Sequence, residues 1–153
     1  MIGMAEALLI AAGASLVAAA ACDLVRFEIP DGLSTIIFGA AIGHAALTGA
    51  PVWAHLTAAM LMFGIGAMMF RAGTMGGGDV KLLAAVAGWA GLAGFVPLVL
   101  AVAMAGGVLA VTLLAIRRLP IGDGPELVQR GAPLPYAVAI ATGAFWTGAA
   151  LLA

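Results

Sequence analysis

Apolar runs of membrane-spanning length recur along nearly the whole chain. A helix needs about 20 mainly apolar residues to cross the hydrocarbon core of a bilayer, with a working range of about 17–25. Of the 153 residues, 65% are hydrophobic and only 8% are charged, whereas soluble globular proteins carry roughly 25% charged residues. The sequence therefore predicts an all-α, polytopic protein of the lipid bilayer, with the whole chain forming a single integral-membrane domain, residues 1–153.

The positions of the basic residues indicate how many helices cross the membrane and in which direction. Six spans are predicted, at about residues 4–22, 33–48, 53–70, 80–92, 95–116 and 134–152. With six spans, all six basic residues fall in links on one side of the membrane: Arg26, Arg71, Lys81, Arg117, Arg118 and Arg130. Because Lys and Arg concentrate on the cytoplasmic side, that side is predicted to be cytoplasmic and both termini to lie outside.

The N-terminal segment, the cysteine count and the net charge exclude several classes of protein. The start, "MIGMAEALLIAAGASLVAAAAC", contains Glu6 and no basic residue, whereas a secretory signal begins with a basic region. The "AAAC" end suggests a lipoprotein cleavage site, but we expect a retained first helix with Cys22 as a small apolar residue. A single cysteine provides no internal disulfide and no Cys/His zinc site, so no metal and no cofactor are predicted. A net charge of −1 gives no basic surface for nucleic acid.

Two aspartates lie where a membrane protein has little reason to place them. Acidic side chains in or beside membrane spans are costly and are by default candidates for function. Asp23 continues directly from the first apolar run, and Asp79 begins the fourth, so both are predicted at the cytoplasmic ends of their helices. The other five acids have ordinary explanations. Glu6 and Glu28 are expected to be solvated, Asp31 to cap the second helix by accepting backbone hydrogen bonds, and Asp123 and Glu126 to lie in a polar, turn-rich loop.

A pair of aspartates in one poorly solvated site can perform acid–base chemistry on a peptide. The two carboxyl groups do not both ionise readily, so one keeps a proton while the other acts as a base. The base can deprotonate a water, and the protonated partner can hydrogen-bond a peptide carbonyl. Paired carboxylates also serve as proton relays, so a proton- or ion-coupled transport component is the alternative function. Both aspartates lie at one membrane face, however, and no polar residue continues a path through the helix centres.

The stretch "GTMGGGDVKLL" places three glycines directly before Asp79. Glycine permits φ > 0 and the close approach of another backbone, such as that of a peptide substrate. Gly76 and Gly78 are therefore candidate substrate-approach positions, and a flexible loop is the alternative. Lys81 either tunes the aspartate pair or extends to the membrane interface. His44 and His55 are expected to be interfacial polar tips without chemistry.

Two stretches together resemble the signatures of the type IV prepilin peptidases. "MGGGDVKLL" is similar to the GxGD motif of that family, with Gly76, Gly78 and Asp79 at the motif positions. "CDLVRFEIPDGLS" resembles the other signature, an aspartate at the end of a helix followed by Ile-Pro and Asn or Asp. "PLPYAVAIATGA" is similar to a third segment of the short family members.

The resemblance implies an intramembrane aspartic endopeptidase that removes leader peptides from prepilin or pseudopilin precursors at the cytoplasmic face of the bacterial cell membrane. It assigns the catalytic pair to Asp23 and Asp79 and implies no metal for proteolysis. Long members carry an N-terminal cytoplasmic region with paired cysteines, and many also methylate the new N-terminus. The chain resembles the short members associated with Flp/Tad-type pili instead, so methyltransferase activity is not predicted.

Overall fold

The computed structural model describes residues 3–118 and 133–152, which form five helices without a strand in either range. The all-α prediction is confirmed. The helices are α1 (Met4–Arg26), α2 (Asp31–Thr48), α3 (Val52–Arg71), α4 (Gly77–Arg118) and α5 (Tyr136–Leu152).

Helix α4 contains a break where the sequence predicts the link between the fourth and fifth spans. Gly91 has φ 64° and ψ −175°, a conformation open essentially only to glycine. The second half of α4 then runs antiparallel to α5, since Arg117 Nη2 donates to the Pro133 carbonyl at 3.2 Å and Gly143 lies against Val102. The beginning of α4 and the beginning of α5 both lie at the end of the bundle where Asp23 is found. Gly91 therefore turns the chain back toward the end from which α4 starts.

A histidine side chain stabilises this break. His55 Nδ1 lies 2.8 Å from the carbonyl oxygen of Gly88, three residues before the point where Gly91 interrupts the helix. The imidazole also packs on Gly91, where an added Cβ would lie 3.2 Å from His55 Cε1. Buried carbonyl groups near a helix end need a partner, so His55 has a structural role rather than that of an interfacial tip.

The first half of α4 lies at the centre of the bundle. Every residue from Leu82 to Gly88 is buried, and α4 packs against α2, α3 and α5, while α1 packs on α2 and α5. This central position explains why the run is apolar and rich in alanine: small side chains let neighbouring helices approach closely. The largest fully buried side chains include Ile37, Leu82, Leu98 and Ile140.

The outside of the bundle is also apolar. Val96, Leu100, Met104 and Val108 recur every four residues along the second half of α4, and all four are exposed, as expected of a stripe that faces lipid. Within the described ranges, three helices are long and apolar enough to cross a membrane: α1, α3 and α4. The count of six spans remains a prediction.

Two local predictions are corrected by the helix ends. Helix α1 continues beyond residue 22 to Arg26 and ends at Phe27, which has a left-handed φ of 52° and donates its N–H to the Asp23 carbonyl. The prediction that Asp31 caps α2 is wrong: Pro30 is the N-cap residue, Asp31 is the first helical residue, and no side chain caps this end. The predictions for Asp123, Glu126 and Arg130 lie outside the described residues.

Candidate active site

A cleft of about 320 Å³ opens where the ends of α1, α2 and α4 meet. All four residues singled out from the sequence, Asp23, Asp79, Gly76 and Gly78, line this cleft. Its remaining lining residues are Phe27, Glu28, Ile29, Asp31 and Gly77. The tertiary structure thus brings together two sequence segments that are separated by α2 and α3.

Asp23 is held in place by the beginning of α5. Its side chain is only 5% exposed, and Oδ2 accepts a hydrogen bond from the backbone N–H of Ala137 at 2.9 Å. Ala137 is the second residue of α5, where backbone N–H groups lack partners within their own helix. The carboxylate therefore caps a neighbouring helix.

Asp79 lies in the first turn of α4, where it is the third helical residue. Its carboxylate lies against the backbone of Gly76, since a Cβ added at Gly76 would lie 2.9 Å from Asp79 Oδ2. Asp23 and Asp79 line the same cleft, so their carboxyl groups share one site.

Gly76 and Gly78 are crowded by close side chains and do not have a left-handed backbone. A Cβ added at Gly76 would lie 2.9 Å from Asp79 Oδ2, and one added at Gly78 would lie 3.2 Å from Ile29 Cβ. The only glycine with positive φ between α3 and α4 is Gly73, at 71°. Alanine at Gly73 would therefore strain the backbone, whereas alanine at Gly78 would press on Ile29.

Lys81 and Asp31 form an ion pair beside the cleft. Lys81 Nζ donates to Asp31 Oδ1 at 2.8 Å and to Oδ2 at 2.7 Å. Lys81 therefore contacts a carboxylate of α2 rather than the aspartate pair, and Asp31 has a partner that the sequence does not reveal.

A comparison with protein families matches residues 10–111 to the type IV leader peptidase family. The match covers two-thirds of the chain. The chain belongs to the type IV leader peptidase family. This confirms the family that the two motifs indicate, and both Asp23 and Asp79 fall inside the matched range. No curated protein and no solved structure matches the chain.

Two features of this candidate site in the leader-peptidase family member escape sequence reasoning. The first is the backbone N–H of Ala137, which donates to Asp23. The "PLPY" stretch is the sequence signal that could have located it, since prolines directly before an apolar run indicate a helix start. The second is Gly66 on α3, where an added Cβ would lie 2.9 Å from Val80 Cγ1. Gly66 allows α3 to approach the residue next to Asp79, and nothing in the sequence distinguishes it from Gly64. Across residues 3–118 and 133–152, no group of three or more His, Cys, Asp or Glu residues could hold a metal ion.

Proposed function

We propose that the protein is an intramembrane aspartic endopeptidase that removes the leader peptide of Flp/Tad-like type IV prepilins or pseudopilins. The observation that carries the proposal is the cleft that both Asp23 and Asp79 line. Membership of the type IV leader peptidase family supports a prepilin-like precursor as the substrate.

The chemistry follows from two carboxyl groups that share one site. The ionised carboxylate takes a proton from a water, whose oxygen attacks the carbonyl carbon of the scissile peptide bond. The protonated carboxyl group donates its proton to the carbonyl oxygen as negative charge develops there. When the tetrahedral intermediate collapses, the C–N bond breaks and the leaving nitrogen takes the proton that the first carboxyl group gained from water. The other carboxylate takes back a proton from a hydroxyl group of the intermediate as the new carbonyl forms. Each aspartate therefore acts in turn as acid and base, and the titration belongs to the pair.

The location of the cleft supports cleavage at the cytoplasmic face of the bacterial inner membrane. Arg26 ends α1, Arg71 ends α3, and Lys81 lies in the first turns of α4, so these basic residues occupy the same end of the bundle as the cleft. Basic residues concentrate on the cytoplasmic side of membrane proteins. A precursor whose leader protrudes into the cytoplasm would then present its peptide backbone to the cleft.

The proposal is tested by co-expression with a candidate prepilin precursor, with leader removal read as a gel shift. Asp23→Asn and Asp79→Asn should each abolish cleavage at normal membrane levels, because an amide cannot exchange the proton. Glu28→Gln is the matched control, since Glu28 is an exposed acid that lines the same cleft, and it should keep cleavage. Near-wild-type processing by either asparagine variant would remove that residue from the catalytic pair. A transport component would show no processing phenotype and would instead lose ion flux in both variants.

A further inference from the structure

The Lys81–Asp31 ion pair joins the first turns of two helices that border the cleft. Asp31 is the first residue of α2, and Lys81 is the fifth residue of α4. The pair is partly open to solvent, with side-chain exposures of 49% for Lys81 and 70% for Asp31. Ion pairs of this exposure contribute little to folding stability because water screens the charges, so stability alone is a weak reason for it.

A second contact links the same two parts of the chain. Gly78 packs on Ile29, which precedes α2 by two residues and itself packs on the hydrophobic core. Asp79 directly follows Gly78 and precedes Lys81 by two residues. The N-terminal turn of α4 is therefore attached to the α1–α2 connection on both sides of Asp79.

The other end of that connection leads to Asp23. Helix α1 ends at Phe27, whose N–H donates to the Asp23 carbonyl at 3.0 Å. The residues from Phe27 to Asp31 thus form a short bridge between the backbone of Asp23 and the ion pair. Lys81 itself does not line the cleft, whereas its partner Asp31 does, so Lys81 is connected to the cleft through Asp31 and this bridge.

We propose that Lys81 and Asp31 are positioning residues that hold Asp79 opposite Asp23 for peptide cleavage. This inference rests on the proposed function and extends it to two residues outside the catalytic pair. Because the pair fixes the direction in which α4 enters the cleft, its loss lets the Asp79 carboxylate drift from Asp23 while the fold persists. The effect therefore falls on turnover rather than on precursor binding or on stability.

The test measures kcat and KM for precursor cleavage by purified protein in proteoliposomes. Lys81→Met and Asp31→Asn should each lower kcat about tenfold with KM within about twofold of wild type, since misplacing a catalytic group by roughly 1 Å can cost about 100-fold. Lys81→Arg should stay near wild type, because a guanidinium binds a carboxylate through two hydrogen bonds. Arg71→Met is the matched control: it removes a cation at the same end of the bundle that does not line the cleft, and it should leave kcat unchanged.

The charge-swapped double variant Asp31→Lys/Lys81→Asp tests whether activity depends on the ion pair or on the particular charge at each position. It should recover kcat to within about threefold of wild type, with incomplete recovery because a lysine at the start of α2 opposes the helix dipole. A double variant no faster than either single variant would overturn the inference. A rise in KM alone would overturn it in favour of precursor binding, and a fall in melting temperature that matches the loss of activity would reduce the pair to fold stabilisation. Failure of the proposed function looks different, because wild-type protein would then not cleave the precursor, or Asp79→Asn would still cleave it.

Discussion

Gly76→Ala places a methyl group against the carboxylate of Asp79. The added Cβ would lie 2.9 Å from Asp79 Oδ2, below the 3.0 Å that real Cβ contacts essentially never cross. To reach ordinary contact at 3.4 Å, the carboxylate must move by roughly 0.5 Å. Because Gly76 does not have a positive φ, the substitution adds no left-handed backbone strain. Its effect is therefore confined to the position of the Asp79 carboxylate.

The size of the effect follows from the displacement. A misplacement of roughly 1 Å can cost about 100-fold in rate, so a shift of about half that size should lower kcat by about 10- to 100-fold. That corresponds to about 1.4–2.7 kcal/mol in the activation free energy. Replacing glycine by alanine at an N-cap costs about 1 kcal/mol of stability or less, so the protein should still fold and insert.

Two neighbouring glycines provide matched controls in the same assay of initial cleavage rate at equal membrane levels. A Cβ at Gly77 meets Phe70 Cε2 at an ordinary 3.6 Å, and one at Gly78 meets Ile29 Cβ at a tight 3.2 Å. The expected order of activity is therefore Gly77→Ala, near wild type, then Gly78→Ala, then Gly76→Ala. Equal and near-wild-type rates for all three variants would refute the reasoning and reduce the glycine run to a plain connection.

Three further predictions concern the helices that support the site. Gly66→Ala should lower the melting temperature in detergent and slow cleavage, because its Cβ would lie 2.9 Å from Val80 Cγ1 and overpacking costs about 1–3 kcal/mol. Gly64→Ala, which meets nothing within 4 Å, should be neutral or stabilising, and equal effects of the two would contradict the packing. His55→Ala should destabilise the protein by about 1–3 kcal/mol by depriving the buried Gly88 carbonyl of its partner, and an unchanged melting temperature would exclude that role. A reporter fused after the C-terminus should be active only on the exported side, and cytoplasmic activity of an intact fusion would contradict the predicted orientation.

The helices themselves could be read from the sequence because a membrane imposes a simple rule. Apolar runs of spanning length must be helical, since backbone groups in lipid have no other partner. The predicted runs 33–48 and 53–70 agree closely with α2 (Asp31–Thr48) and α3 (Val52–Arg71). The helix ends are harder to predict. Pro30 rather than Asp31 is the N-cap residue of α2, and the sequence does not show which side chain forms a capping hydrogen bond.

The candidate pair could also be predicted from the sequence, because placing a carboxyl group in a membrane costs free energy. Carboxyl groups at membrane depth are rare enough that Asp23 and Asp79 stood out individually. The partners that hold them did not stand out, because they are ordinary residues or backbone groups. The Ala137 N–H caps Asp23 from a helix more than a hundred positions away in the chain, and the ion pair of Asp31 with Lys81 joins α2 to α4.

The sequence by itself determined the all-helical class, the approximate extent of α2 and α3, and the family, and it selected the two aspartates as candidates. These depend on composition, on motif spacing and on the free-energy cost of an acidic residue beside an apolar segment, which are all properties of short stretches of chain. Only the tertiary structure decided that both aspartates line one cleft and which groups orient them. It also showed that the glycines before Asp79 are small because Asp79 and Ile29 crowd them. Such contacts join distant segments through helix packing, and a linear pattern of residue types carries no record of which helices become neighbours.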